Sequence, residues 1–548
     1  MAGFVTYYHT LRHLKAIQFY GRAWYRMSTL RPDIGPSPPI RSLPKNEWVL
    51  PAQRSASVVG SELFCFLNEV HDLKDVGWDN PAVGKLWRYN LHYFDDLNAQ
   101  GSTARTSWHQ TLLQRWVREN PPGVGTGWEP FPTSLRIVNW VKWALGGDTL
   151  PGECAQSLAV QIRWLSRRLE YHLLGNHLLA NAKALVFGGI FFEGPEADAW
   201  IERGLRILQR EIPEQILEDG GQFERSTMYH ALALEDMLDL CNLASAFSGA
   251  LSSRSQSIMR EWRDRASLMG DWLAAMCHPD GEISFFNDAV FGVAPTPEEL
   301  DSYARRVGLP GARGPEQGLI HLSPSGYIRV ALNHAVAMLD VAPVGPDYLP
   351  GHGHADTLSF ELSLFGHRVL VNSGTSDYAA GSERLRQRGT SAHNTVVVDR
   401  RDSSEVWSGF RVARRARPEG LHISSGGGPV VSCSHDGYRW LSGRPKHTRT
   451  WSFGESRLVV QDMILGSFGS AEARFHLHPS VGLEQADSVA LLRLPTGQRL
   501  RIQVEGGTLR VEATTWHPEF GSSEKTKCVV VPLGSGGIRT ILDWSGND

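Results

Sequence analysis

The stretch Tyr327-Ile328-Arg329-Val330-Ala331-Leu332, entered through Gly326, divides the chain into two textures. It reads as a β-strand, and the candidates after it read the same way: Leu358 to Leu364, Val369-Leu370-Val371, Thr395 to Val398, Arg457 to Val460 and Leu500 to Val504. Most are rich in β-branched residues and bounded by Gly, Ser, Asp or Pro, the pattern of an antiparallel β-sandwich. Before it, from about residue 55 to 310, apolar residues recur at helical spacing, as in Leu112, Leu113, Trp116 and Val117, or Leu135, Val138, Val141 and Leu145. A third run, Leu205, Leu208, Ile212 and Ile216, carries Pro213, which predicts a kink or a division. Helix after helix without strand-like alternation predicts an all-α domain of stacked helix pairs, and Gly308 to Pro315 is the expected junction.

Length agrees with two large domains, since 548 residues exceed one ordinary core. The net charge of −3, from 55 Lys+Arg against 58 Asp+Glu, gives no support to nucleic-acid binding. An acidic polymer would have to be held by a local basic cleft. No run of about 20 apolar residues is present, so no membrane span is expected. Met1 to Met27 lacks a continuous apolar core and a small-residue cleavage site, so a cytoplasmic protein is expected, with periplasmic placement or another export route as the alternative. Cys65, Cys154, Cys241, Cys277, Cys433 and Cys528 are scattered, with no CxxC pair, and read as single thiols.

Three segments carry candidate chemistry. In Gly175-Asn176-His177-Leu178-Leu179-Ala180-Asn181, Asn176 is placed to cap a helix, and His177 and Asn181 share a face of it. The segment is either a cap with a satisfied histidine or a pair of donors for a carboxylate at a helix N-terminus. In Asp219-Gly220-Gly221-Gln222-Phe223-Glu224-Arg225-Ser226-Thr227-Met228-Tyr229-His230, a turn leads to a helix capped by Ser226 or Thr227, with Tyr229 in its first turn. A phenol works as acid or base only if neighbours tune it, and His230 or a distant Arg are the candidates. In Gly351-His352-Gly353-His354-Ala355-Asp356, two histidines two apart in extended backbone point to one side. With Asn372 and His393 downstream they form either a zinc set or a hydrogen-bonded polar patch. Trp87, Tyr89, Trp128 and Trp140 are core residues or walls of a sugar cleft, and Arg88, Arg136 and Arg225 are candidates for acidic groups or ordinary ion pairs.

These segments together resemble the heparinase II/III-like family of polysaccharide lyases. The resemblance runs from about residue 85 to 455. It rests on Gly127-Trp128-Glu129 through Asn139-Trp140, Gly175-Asn176-His177, Asp219 through Tyr229, His352-Gly353-His354-Ala355-Asp356 and Ser391-Ala392-His393-Asn394, in that order. It implies an incomplete (α/α) toroid followed by an antiparallel β-sandwich: 1–55 an extension packing on the toroid, 56–315 the toroid, 316–548 the sandwich. It implies cleavage of a uronate-containing acidic polysaccharide by β-elimination. Asn176 and His177 would hold the uronate carboxylate, while Tyr229 and His352 exchange protons. Which of Tyr229, His177 and His352 is the base stays open. Trp128, Glu129, Arg88 and Arg225 are the expected substrate contacts. A structural Zn2+ would be held by His354, Asn372 and His393, weakened because an amide oxygen is a poorer ligand than a carboxylate. Asp356 or Asp377 are alternative completing groups. Two other functions are weighed beside the lyase. One is a glycoside hydrolase, which needs two facing carboxylates, nominally from Glu129, Glu224 and Asp219. The other is a non-catalytic glycan-binding or assembly protein of a surface-polysaccharide biosynthesis system.

Overall fold

The computed structural model describes residues 3–42, 48–486 and 488–547. Helices dominate the first part, up to Pro297–Arg306, with one antiparallel pair, Leu63–Phe66 and Glu69–Asp72, that the all-α expectation lacked, and strands dominate from Gly318–Leu322 onward. The change from helices to strands falls between Arg306 and Gly318, one strand ahead of Tyr327.

The toroid is built on helices with little polar face. Pro130–Leu145 starts with Pro at its first position and is buried along nearly its whole length. Gly175–Phe191 is buried from Leu178 to Phe191 and lies against Pro195–Gln215. The two approach closely because Gly189 has no side chain: a Cβ there would stand 2.6 Å from the Ala197 carbonyl oxygen. Pro213 sits in the last turn of Pro195–Gln215 without dividing it.

The described C-terminal part contains three larger antiparallel sheets and a two-stranded one that pairs Val406–Trp407 with Arg411–Val412. A five-stranded meander runs from Gly318–Leu322 to His367–Leu370. An eight-stranded sheet includes Lys446–Phe453 and Arg457–Leu465, whose burial alternates residue by residue as in a sheet with one face on a core. A four-stranded sheet holds Ala471–His476 between Val396–Val398 and Glu524–Pro532.

Tyr327–Leu332 is buried on both faces, and its period of two explains how. Ile328 and Val330 enter the sandwich core with Leu362, Phe475 and Trp451. Tyr327 faces the other way, into a cluster with Trp272, Met276 and Phe286 of the toroid. Arg329 reaches across to the carbonyl oxygens of Ala275 and Cys277, at 3.0 and 2.8 Å. One strand thus closes the sandwich and docks it on the toroid.

Candidate active site

The toroid supplies two helix starts. Ser226, rather than Thr227, caps Thr227–Ala246 by accepting from the Tyr229 N–H at 3.1 Å. Its hydroxyl donates to the Asp288 carbonyl at 2.5 Å, tying this helix start to the loop that carries Asp288. The other helix differs from expectation. Gly175–Phe191 begins two residues earlier, Leu174 rather than Asn176 stands at the cap with φ 64°, and Asn176 is the second helical residue. Asn176 is half-buried, and among the described residues its side chain makes no hydrogen bond, which leaves its amide available to a ligand. Asn181, expected to share a carboxylate-binding face with His177, is buried instead and bonds Glu170 and Ser134. Glu170 in turn accepts from His177 Nδ1 at 3.2 Å. Burial opposes a charge on His177, but Glu170 and then Glu224 outweigh it and raise its pKa above the ordinary histidine value.

The sandwich supplies His352, and the residue that organises it is one the sequence reading missed, Asp288. Asp288 is fully buried. Its Oδ2 accepts from His352 Nδ1 at 2.9 Å and its Oδ1 from His354 Nε2 at 2.8 Å, so the two histidines do point to one side. The Arg384 guanidinium pairs with both carboxylate oxygens. Burial alone would push the Asp288 pKa up; Arg384 and the two histidine bonds hold it well below the carboxylate range. Between the histidines Gly353 is required by close packing, because a Cβ there would stand 2.6 Å from Val344 Cγ1. With Nδ1 committed to Asp288, His352 presents Nε2 to the cleft, 3.9 Å from Glu224 Oε2.

Tyr229 completes the group. Its ring stacks on His352 with centroids 3.9 Å apart. Its hydroxyl lies 3.0 Å from that of Tyr378, a second residue missed in the sequence. Burial, and then the charge of Asp288, raise the Tyr229 pKa, so the phenol keeps its proton. His230 does not tune it: its nitrogens bond the Gln222 N–H and the Met269 carbonyl, and burial lowers its pKa to about 4. The distant arginine is Arg384, 5.0 Å from the Tyr378 ring centre. Three non-glycine residues at positive φ flank these groups: Leu174 before Asn176, Arg225 before Ser226 and Asn287 before Asp288. Backbone strain of this kind persists where surrounding contacts over-determine it, and it clusters at functional sites.

The expected substrate contacts fare differently. Trp128 is 2% exposed and packs on Trp116 and Trp164, so it is core and not a cleft wall. Trp87 and Trp140 are buried too, and Arg136 is inside the toroid over Trp116. Arg88 is spent on Asp79, Thr126 and the Val83 carbonyl. Arg225 points away to the carbonyl oxygens of Ser325 and Phe223, bracing the two domains rather than meeting a substrate. Glu129 stays half-exposed, accepting from Lys85 at 3.0 Å and from the Tyr89 hydroxyl. The carboxylates nominated for hydrolysis do not pair: Asp219 is held by Ser325, Glu224 lies beside His352, and Glu129 is on Lys85.

His354, Asn372 and His393 do come together. The two imidazole centroids are 5.2 Å apart, and His393 Nδ1 is 3.2 Å from Asn372 Oδ1. Burial lowers the His354 pKa to about 4 and takes that of His393 well below its ordinary value. Among the described residues, His354 Nδ1, His393 Nε2 and Asn372 Nδ2 have no hydrogen-bond partner. Two neutral imidazole lone pairs suit zinc, but the Asn372 oxygen already accepts from His393 and from the Asn394 N–H. What remains of the amide is an NH2 group, which is not a ligand. Asp377 is exposed and Asp356 lies on the Asn287 N–H, so neither completes the set. Among the described residues no three His, Cys, Asp or Glu converge as metal ligands. The residues present therefore fall short of the three protein ligands a zinc site uses.

Comparison with known proteins covers both parts. The family model "Heparinase II/III N-terminus" matches residues 79–304, and "Heparinase II/III-like, C-terminal" matches 314–540. A heparin-sulfate lyase of Bacteroides stercoris is 25% identical over 370 residues, 62% of this chain and 52% of that protein. One of Pedobacter heparinus is 23% identical, over 60% of this chain and 54% of that protein. The chain thus spans about half the length of these curated relatives. FtsZ-localized protein C of Caulobacter vibrioides is 25% identical over 73% of this chain and 71% of that protein. Among solved structures, heparinase III superposes with a TM-score of 0.71 at 16% identity, covering 96% of this chain and 88% of that one. A mutant heparan sulfate lyase of Pedobacter heparinus gives 0.60 at 19% identity, covering 88% and 81%. At such identities the superpositions speak for the fold: a toroid followed by a β-sandwich.

Proposed function

Since this chain belongs to the heparinase II/III-like family, we propose that it is a polysaccharide lyase that cleaves a uronate-containing acidic polysaccharide by β-elimination. The observation that carries the reading is the convergence of Tyr229 with a His352 whose Nδ1 is locked on Asp288, opposite a His177 biased toward its charged form. His352 Nε2 takes the proton from C5 of the uronate. The electron pair left behind forms the C4–C5 double bond, the C4–O4 bond breaks, and O4 receives the Tyr229 phenolic proton. A phenol whose pKa is raised suits the acid, and an imidazole oriented by a carboxylate suits the base. Asn176 and the His177 imidazolium meet the uronate carboxylate, where negative charge grows in the transition state.

The test is ultraviolet absorbance of the unsaturated uronate product with a panel of heparan sulfate, heparin, hyaluronan, chondroitin, alginate and acidic exopolysaccharides. A rise that vanishes in Tyr229→Phe supports the lyase; activity of a folded Tyr229→Phe at the wild-type rate removes these roles.

A second reading is a glycan-binding or assembly role without turnover. It is favoured by the likeness to FtsZ-localized protein C, which spans more of its relative than either lyase match and whose name records a location, not a reaction. Saturable binding of a uronate polymer with no unsaturated product across the panel would establish it over the lyase.

A further inference from the structure

Two helices near the start of the chain, Phe4–Leu11 and Ala16–Met27, are turned inside out relative to a globular helix. In Ala16–Met27 the outward apolar residues are Ala16, Phe19, Tyr20, Ala23, Trp24 and Met27, spaced i, i+3, i+4, i+7, i+8 and i+11, with Arg26 exposed beside them. Trp24 is 72% and Met27 79% exposed. In Phe4–Leu11 the exposed apolar residues are Phe4, Val5, Tyr7, Tyr8 and Leu11, with Phe4 87% exposed. The inward faces are polar or mixed. Gln18 is buried and donates to the Tyr348 carbonyl at 3.1 Å, Tyr25 stacks on His172 at 4.5 Å, and buried Thr10 accepts from Trp407 Nε1 at 3.1 Å. This pair of consecutive helices, called the hairpin for its short connection at Arg12–Lys15 and not for any packing of one helix on the other, is therefore docked on the body through its polar side, and its most apolar side faces outward.

Its charge is one-sided. Arg12, Lys15, Arg22, Arg26 and Arg31 fall here, and no Asp or Glu precedes Asp33, although the whole chain carries −3. Among the described residues, Lys15 pairs with Glu214, whereas Arg12, Arg22, Arg26 and Arg31 form no ion pair. Arg22 is partly buried and lies near Arg26 and Arg411, like charges whose repulsion an anion would relieve.

From this placement we infer that the hairpin is an interfacial anchor that lies on an anionic lipid bilayer. Its Phe, Tyr, Trp and Met stripe sinks into the headgroup boundary while the arginines pair with lipid phosphates. An aromatic, basic helix with an apolar convex face has this chemistry. A polysaccharide would be met in a concave site. A second copy of the same hairpin would set arginines against arginines. The anchor does not span: among the described residues no helix is long and apolar enough to cross a membrane. Lys15 and Gln18 both rest on Tyr348, whose neighbour Leu349 packs against Gly175 at the cleft. Anchoring would hold the cleft's rim beside the lipid surface. The inference stands independently of any lyase activity.

The test is co-sedimentation of the full chain with vesicles of phosphatidylcholine alone or mixed with phosphatidylglycerol. We expect binding to the anionic vesicles, weakening with salt, and a loss of about tenfold or more in partitioning for Phe19→Ser/Tyr20→Ser/Trp24→Ser. These side chains are exposed, so the variant should fold, and circular dichroism checks it. Arg12→Glu/Arg26→Glu should weaken binding through charge alone. Wild-type protein that stays in the supernatant, or a triple variant that sediments equally, overturns the inference. So does a dimer in solution that the triple variant abolishes, or a polysaccharide affinity lost in that variant without any vesicle binding.

Discussion

The hydroxyls of Tyr229 and Tyr378 lie 3.0 Å apart although the residues are 149 positions apart in the chain, one on a toroid helix and the other in a sandwich loop. When Tyr229 gives up its proton, the Tyr378 O–H is placed to donate to the phenolate and lower the cost of that charge. We expect Tyr378→Phe to reduce kcat by on the order of tenfold while KM changes little, because the bond strengthens in the transition state. Steady-state kinetics of Tyr378→Phe against the wild type would check it. A KM effect alone would assign Tyr378 to binding.

Asp288 joins four side chains, accepting from His352, His354, Arg384 and Thr375. Asp288→Asn removes the anion that orients His352 and leaves Arg384 buried without its partner. Turnover should fall by on the order of 10³-fold, and stability by about 3–5 kcal/mol. Paired kinetics and urea unfolding would separate the two effects. A variant that loses stability but keeps full turnover would show that His352 needs no orienting carboxylate.

Activity should decline on the alkaline side as His177 loses its proton. Its folded pKa is raised above 6.5, with Glu170 and Glu224 overcoming burial. The charged form, and the stability its ion pair contributes, is present below the unfolded value and lost as pH rises through the folded one. Glu170→Gln keeps a hydrogen-bond acceptor and removes the charge, so the alkaline limb of kcat/KM should move to lower pH. An unmoved limb would mean that His177 is not the group titrating.

Zinc content offers a fourth check. The Asn372 oxygen is taken by His393 and Asn394, leaving two imidazole lone pairs. We expect the purified protein to hold well under one zinc per chain by elemental analysis, and Asn372→Asp to raise zinc affinity by supplying a third, charged ligand. Stoichiometric zinc in the wild type would overturn this reading of the amide.

Part of the site was legible from the chain. Periodicity separated helices from strands at Tyr327, because side-chain burial repeats at 3.6 residues in one and at two in the other. Local motifs likewise pointed to Asn176, His177, Tyr229 and His352, each beside a turn or helix start written in Gly, Ser or Asn. Asp288 had no such signal: in Phe286-Asn287-Asp288-Ala289 it reads as an ordinary loop carboxylate. Its importance comes from burial against Arg384, 96 residues away. Tyr378 was hidden for the same reason. Trp128 and Arg225 erred the other way, since residue type suggested a cleft while packing assigned one to the core and the other to the domain contact.

The sequence by itself determined that helices precede strands and which residue types are available for acid–base work, because these follow from local periodicity and motif. Only the tertiary structure decided which carboxylate orients His352, which phenol meets Tyr229, that the Asn372 oxygen is taken by His393 and Asn394, and that Phe19, Tyr20 and Trp24 face outward. Those outcomes depend on contacts between segments far apart in the chain and on which side of a helix finds a neighbour. The amphipathic pattern of Ala16–Met27 is the same whether its apolar stripe is buried or exposed; the body it docks on made the choice.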